Sequence, residues 1–503
     1  MIFDGEKERR ALDETYDYVI VGSGAAGATA ARVLADKGAS IAVVEEGPAI
    51  ATAEFGDRVF PAFRRMFREM GFQAARGRAT IPVVQGSCLG GTTVVNSAIT
   101  WRLPDDVWEP WKTEYGLGEA LPLDALHQNW DQIERELSVR PVAPEIWGEN
   151  NRLLNVASER LGVSAAPLRR YEVGCRGSAR CSLGCPHGAK QSMLVSYLPY
   201  ASARGAWLMT SARVDKVLFE GDRAVGVTGF FHVPQFQRNL AAFTLRARKG
   251  VLIAGSAVQT PGLLASSGAR SRHLGQHFQA HPGVTLAGVF DQKVDMWFGA
   301  TQGYETDQHR VDGRIKVEAL SLPPELVFAR LPGVGREWVQ NIAESAHLAL
   351  WAVQLRAHAH GSVRTGLFGT DIRFDLTPSD MLNLRQGLRF TAELLFAAGA
   401  REILTGIHGL PERLTSPDQI RLLENGPDDP ASYSFALTHL FGTARMSVRP
   451  SDGVVGTDFA VHGTRKCYVI DSSVFPTNLG VNPQHTIMAI AMLAANKIAT
   501  ADG

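Results

Sequence analysis

Three glycines and an acid stand at spacings that suit phosphate chemistry. Gly22, Gly24 and Gly27 form G-x-G-x-x-G directly after the apolar run Tyr18–Val21. Gly22 permits a tight turn, Gly24 lets the backbone approach a pyrophosphate, and Gly27 lets a helix pack closely on a strand. A helix from Ala25 to about Lys37 follows; its opening residues Ala25 and Ala26 offer free N–H groups, and the helix dipole favours phosphate charge there. Glu45, with Glu46 beside it, closes the next apolar run, where an acid accepts ribose hydroxyls. Strand, turn, helix, strand and acid in this order read as a dinucleotide site.

A second group of residues could do different chemistry. Cys175, Cys181 and Cys185 read C-x5-C-x3-C, followed by Pro186. Three thiols this close could be inert loop packing, a zinc site completed by His187, or iron–sulfur ligands. The other cysteines, Cys88 and Cys467, bring the total to five in 503 residues, which is not a disulfide framework.

The elements that must position these groups follow from pattern. Residues 81–101 form a second glycine-rich loop entering an apolar segment. Residues 104–160 have helical, amphipathic periodicity with Trp108, Trp111 and Trp130 as packing anchors, 206–230 alternate as strands do, and 246–268 read as strand, small-residue turn and helix. From about Gly283 the texture changes. Segments 347–358 and 370–378 alternate with period two, as half-buried antiparallel strands do, and 379–400 repeats apolar residues at helical spacing. A buried strand and loop return at 465–476, and a helix of about 483–499 ends the sequence. The pattern predicts an α/β, Rossmann-like dinucleotide domain built from both ends of the chain (15–283, with a loop and helical excursion over 104–200, and 431–503). An antiparallel-sheet-plus-helices substrate domain is inserted at 284–430.

Bulk composition excludes several classes. Lys+Arg and Asp+Glu both number 51, so there is no electrostatic case for nucleic acid or an anionic membrane. No apolar run spans a bilayer, and the charged N-terminus lacks a signal-peptide core. A cytoplasmic protein without a transmembrane segment is expected.

Four segments together resemble the glucose–methanol–choline (GMC) flavoprotein oxidoreductases: the G-x-G-x-x-G unit with Glu45; GSCLGGTTVVN (86–96); VLIAGSAVQTPGLLASSG (251–268); and HLFGTARM (439–446) with YVIDSSVFPTNLGVNPQHTIMAIA (468–491). Residues 387–406 are more loosely similar to the long-chain-alcohol branch. The resemblance implies bound FAD and oxidation of an alcohol to aldehyde or ketone by hydride transfer to flavin N5. Gly86, Gly90, Gly91, Thr92 and Asn96 match the loop over the flavin pyrophosphate and ring. Val214 matches the strand whose backbone meets adenine, and Asp471, Asn482 and Pro483 lie in the second run of flavin contacts. Val95 stands where some members carry the histidine that links FAD covalently, so non-covalent FAD is expected.

His439 and Asn482 match the family's two active-site positions. Imidazole can take the O–H proton as hydride leaves, and asparagine can hold the same oxygen. Asparagine cannot act as a base, so that role falls on His439. Asn482 followed by Pro483 also suits a helix N-cap. His485 reads as packing, and His281, before Pro282, as a residue approaching the flavin. His273, His277 and His281 resemble no metal-ligand spacing, and His358, His360 and His462 read as polar or cap residues.

The cysteine spacing is similar to the loop holding a three-iron (3Fe-4S) cluster in catalytic subunits of the family's sugar dehydrogenases, while related enzymes keep a similar loop without one. The leading expectation is an apolar alcohol, from the Leu, Val, Phe and Trp content of 315–332 and 347–358. The alternatives are a sugar-type dehydrogenase with an iron–sulfur relay, a non-oxidising lyase or decarboxylase on the same fold, and a flavin module with an inactive site. Oxygen, a quinone or a redox protein would accept the electrons.

Overall fold

Residues 2–366 and 369–501 are described by the computed structural model. Strands Ile2–Asp4 (β1) and Leu12–Val21 (β2) open the chain, followed by helix Ala25–Asp36 (α1) and strand Ile41–Val44 (β3). Trp207–Thr210 (β4), Ala212–Glu220 (β5), Arg223–Val233 (β6) and Arg238–Ile253 (β7) lead to helix Ser256–Ser266 (α2). Near the C-terminus, strand Cys467–Val469 pairs parallel to β7. The order β1-β4-β3-β2-β7-β6-β5 is parallel from β1 to β7 and antiparallel beyond. Tyr18–Val21 and Ile41–Val44 are buried, which is why both read as unbroken apolar runs: a parallel sheet is covered on both faces. The expected 104–160 helices are Asp105–Thr113, Leu123–Glu136 and Gly148–Leu161.

The second sheet is antiparallel. It contains Gln279–Val289 (β8), Tyr304–Thr306 (β9), Ile315–Ala319 (β10) and Leu348–Leu355 (β11), in spatial order β8-β11-β10-β9. Helix Pro378–Ala398 (α3) packs on it; Thr377 and Asp380 form a reciprocal capping box at its start, and Gly399, at φ 103°, ends it. Glu402–Leu404 (β12) pairs with the far half of β8 and Ala436–Phe441 (β13) with the near half. The expected division at 283/284 thus falls inside a single strand, β8, which carries His281 at the dinucleotide domain and Leu286 in the cap core. Residues 369–373 do not join this sheet; they pair with 362–366 and, in parallel, with 74–76. The final helix, Gln484–Ala501 (α4), lies against α1. No helix among the described residues is long and apolar enough to cross a membrane.

Candidate active site

The three glycines have separable jobs. At Gly22, φ is 100°, and a Cβ there would sit 2.3 Å from the Ala254 carbonyl oxygen; at Gly27 it would sit 1.9 Å from the Gly22 oxygen. Those two positions close the strand–helix turn. A Cβ on Gly24 would meet nothing within 4 Å. Gly24 caps α1 with no side-chain hydrogen bond to the helix amides, and the first turn carries no acid. This is an open, positively polarised cradle of the kind a pyrophosphate needs.

Ser23 joins the cradle to its neighbours. Its N–H and hydroxyl donate to Glu45 Oε2 at 3.1 and 2.6 Å, and its Oγ accepts from the Gly90 N–H at 2.9 Å. Gly47 N–H donates to Glu45 Oε1. Burial pushes the Glu45 carboxyl up, and these donors leave lone-pair capacity for a ribose hydroxyl. Glu46 pairs with Arg68 at 2.6 Å instead. The second loop approaches from the other side: a Cβ on Gly91 would lie 2.9 Å from Gly24 Cα. Thr92 Oγ1 accepts from Gly86 N–H, and Asn96 donates to Gln484 Oε1 at 2.6 Å. Val214 lies on β5, where the pairing slips by one residue before Lys216. Asp471 is held by three protein donors: Ser256 N–H and Thr260 Oγ1 on one oxygen, Ser473 N–H on the other. The residues present fit FAD.

His439 adopts a left-handed backbone, φ 57°, on β13; strain of this kind persists only where surroundings enforce it. Its Nδ1 lies 3.1 Å from Nδ1 of His281 on β8. The Gly480 amide donates to His281 Nε2 at 2.9 Å, so the His281 proton is on Nδ1 and points at His439. Neutral His439 then carries its own proton on Nε2, which has no hydrogen-bond partner among the described residues. Burial first, and Lys316 second, push the His439 imidazole down to about 3. His281 is also held well below the ordinary histidine value, by burial and then by His439.

Asn482 does not cap α4 with its side chain. Its Oδ1 instead accepts from Lys316 Nζ at 2.7 Å. His485 is buried between the Tyr171 hydroxyl at 2.7 Å and Glu134 at 3.1 Å. His273 and His277 contact each other at 3.0 Å. Sequence reasoning missed Lys316 with its partners Glu305 and Glu318. Their one signal is the alternation of Lys316 and Glu318 along β10, a pattern that ordinarily marks a solvated strand face.

The cysteine loop is organised by cations. The buried Arg170 guanidinium donates to Cys181 Sγ at 3.1 Å, and Lys190 Nζ donates to the carbonyls of Val94, Asn96 and Cys181 at 2.6, 2.6 and 2.9 Å. Burial opposes the Cys181 thiolate, but Arg170 and Lys190 outweigh it and hold the thiol below its ordinary value; burial pushes Cys175 up to about 11. Among the described residues no three His, Cys, Asp or Glu side chains are placed to hold a metal ion. The expected metal role of Cys175, Cys181 and Cys185 is therefore not supported, and Cys181 is instead paired with Arg170. Lys190 ties this loop to the second glycine loop. Lys190→Met strands three buried carbonyls and is expected to cost about 3 kcal/mol or more, read as a lowered denaturation midpoint with weakened FAD retention.

A parallel dinucleotide sheet completed from both chain ends, with an antiparallel sheet closing over a histidine–asparagine site, defines a flavin-dependent oxidoreductase class. Family models for GMC oxidoreductases match residues 16–283 and 356–491. The chain belongs to the GMC oxidoreductases, FAD-dependent enzymes acting on CH–OH donors. An uncharacterized GMC-type oxidoreductase of Mycobacterium tuberculosis is 36% identical over 485 residues, 96% of this chain and 75% of that protein. A long-chain-alcohol oxidase of Arabidopsis thaliana is 28% identical over 528 residues, 98% of this chain and 68% of that one. A solved formate oxidase variant of Aspergillus oryzae shares the fold with a TM-score of 0.74 at 17% identity, covering 98% of this chain and 99% of that one.

Proposed function

We propose that this protein oxidises an apolar primary alcohol to the aldehyde, using non-covalently bound FAD. The observation that carries the reading is that His439 and Asn482 both face Lys316, Asn482 through a hydrogen bond and His439 within reach of its charge, with Asn482 Nδ2 and His439 Nε2 each lacking a protein partner among the described residues. FAD, when bound, supplies the hydride acceptor. Asn482 Nδ2 holds the alcohol oxygen, and the imidazole of His439 manages the O–H proton. Val95 offers no nucleophile for a covalent flavin link. The apolar residues of 315–332 and 347–358 pack within the cap: Leu348, Leu350 and Val327 form one cluster there. Support for an apolar substrate thus comes from the similarity to the long-chain-alcohol oxidases. The sugar-type alternative loses its support with the cluster. The test is an anaerobic titration of the flavin absorbance with primary alcohols of increasing chain length. Bleaching with stoichiometric aldehyde, strongest for long chains, is expected. An unbleached flavin with every alcohol, or a cleavage product in place of aldehyde, rejects the reading.

A further inference from the structure

We propose that Lys316 is a positioning residue that sets the polarity of the active site by locking the Asn482 amide with its N–H bonds toward substrate. The inference rests on the role given to Asn482 above. Lys316 stands on β10 of the cap and is completely buried. Its Nζ is surrounded by Glu305 Oε2 at 2.7 Å, Glu318 Oε1 at 2.6 Å and Asn482 Oδ1 at 2.7 Å, with the Trp101 ring centroid at 5.2 Å. The Glu318 contact is an ion pair rather than a directed hydrogen bond; Gln302 donates to the other oxygen of that carboxylate.

An ammonium group can only donate. The Asn482 atom facing it must therefore be the carbonyl oxygen, and the amide cannot turn over while Lys316 is charged. Burial works against that charge, but Glu305 and Glu318 outweigh it and raise the Lys316 ammonium above its ordinary value. Two carboxylates on neighbouring strands, Glu305 of β9 opposite Glu318 of β10, thus maintain a cation that also donates a hydrogen bond to Asn482. The consequence is that Nδ2 faces outward. An alcohol oxygen gains negative charge as its proton leaves, so it needs donors, and an amide turned the other way would repel it. The charge–dipole contact with Lys316 also polarises the amide and strengthens its N–H as a donor. Cap and dinucleotide domain are coupled by the same bond: β10 reaches across to a residue two positions before α4.

A double-mutant cycle on the FAD-loaded enzyme tests this. Lys316→Met and Asn482→Ala are each expected to lower kcat/KM about 10²-fold, and the double variant is expected to be no slower than Asn482→Ala. The dissociation constant of an unreactive fluorinated primary alcohol, read from the flavin absorbance, should follow the same non-additive pattern. The acid limb of the pH profile should move upward in Lys316→Met, because Lys316 is one of the two causes that lower His439. Should Lys316→Met fail to fold, Lys316→Met combined with Glu305→Gln and Glu318→Gln removes the buried charges together and serves in its place. Losses that simply multiply, with an unmoved acid limb, overturn the assignment of Lys316 alone. An Asn482→Ala variant with wild-type kinetics overturns the underlying reading of the site as well.

Discussion

Replacing His439 with alanine is expected to lower kcat by about 10²- to 10⁴-fold while the protein keeps its FAD. Cofactor retention follows from position: the cradle is built by residues 22–27 and 86–96 and by Glu45, and among the described residues the side chain of His439 hydrogen-bonds to His281 instead. The loss follows from chemistry. Asn482 supplies only a donor to the alcohol oxygen, Lys316 acts through it, and the imidazole is the neutral group beside them that can take up a proton. Burial and Lys316 keep it neutral down to about 3. The neutral form is therefore fully present at neutral pH and persists well below the ordinary histidine value. The acid limb of kcat/KM is expected below about pH 5 in the wild type, and the residual activity of His439→Ala should show no such limb. Rapid-reaction measurement of flavin reduction across pH 4–9 checks both statements; an acid limb near 6.5 would show that the pocket does not hold His439 neutral.

The hydrogen bonds around this ring add a requirement that residue identity alone does not state. At rest the Gly480 amide fixes His281 as the Nδ1–H tautomer, which in turn fixes His439 as the Nε2–H tautomer. His439 thus meets an incoming alcohol as a donor. Taking up the alcohol proton at Nε2 requires the opposite tautomer, in which His439 donates from Nδ1 and His281 gives up the Gly480 amide. Reading the sequence as "His439, base" captures the residue and leaves out this exchange, because a tautomer is set by partners that lie 158 and 199 positions apart in the two hydrogen bonds.

The same distinction explains what was legible beforehand. The glycine turn, Glu45, α1, α2 and α4 follow from local periodicity and steric need, and those signals are contained in short windows. Burial of the charged face of β10 is different. Lys316 and Glu318 alternate with Ile315 and Val317 as on any half-exposed strand, and only the arrival of Asn482 from the other end of the chain turns that face into a site. In sequence the cysteine loop stays open between packing and metal for the same reason. Its spacing suits a metal, but the deciding residues, Arg170 and Lys190, lie outside the C-x5-C-x3-C pattern and act through side chains that reach into it. Asn482 reads in sequence both as a helix cap and as an active-site group; Lys316 Nζ, which only the fold brings near, takes the oxygen a cap would use.

Gly24→Val should give a folded protein that has lost its cofactor, and Gly27→Val a protein that does not fold. The two positions are three residues apart and belong to one motif, yet their surroundings differ in kind. A side chain at Gly27 drives directly into the Gly22 carbonyl. This is backbone that cannot yield without opening the contact between β2 and α1, in a core where Val19, Ile20, Ala28 and Ala31 are wholly buried. A Cβ at Gly24 meets no protein atom within 4 Å, so the apo fold has no reason to object, and the isopropyl group fills the space over the α1 amides where pyrophosphate belongs. Binding there depends on close approach to those N–H groups, so affinity for FAD should fall at least about 10²-fold, the loss expected when a buried charge-assisted hydrogen-bond set is displaced. Thermal denaturation of the apoproteins separates the cases: an apo midpoint for Gly24→Val within a few degrees of the wild-type apoprotein, with no flavin absorbance after purification, against no cooperative transition for Gly27→Val. A Gly24→Val protein that retains flavin at full occupancy would place the pyrophosphate elsewhere and remove the physical basis for assigning the cradle to this turn.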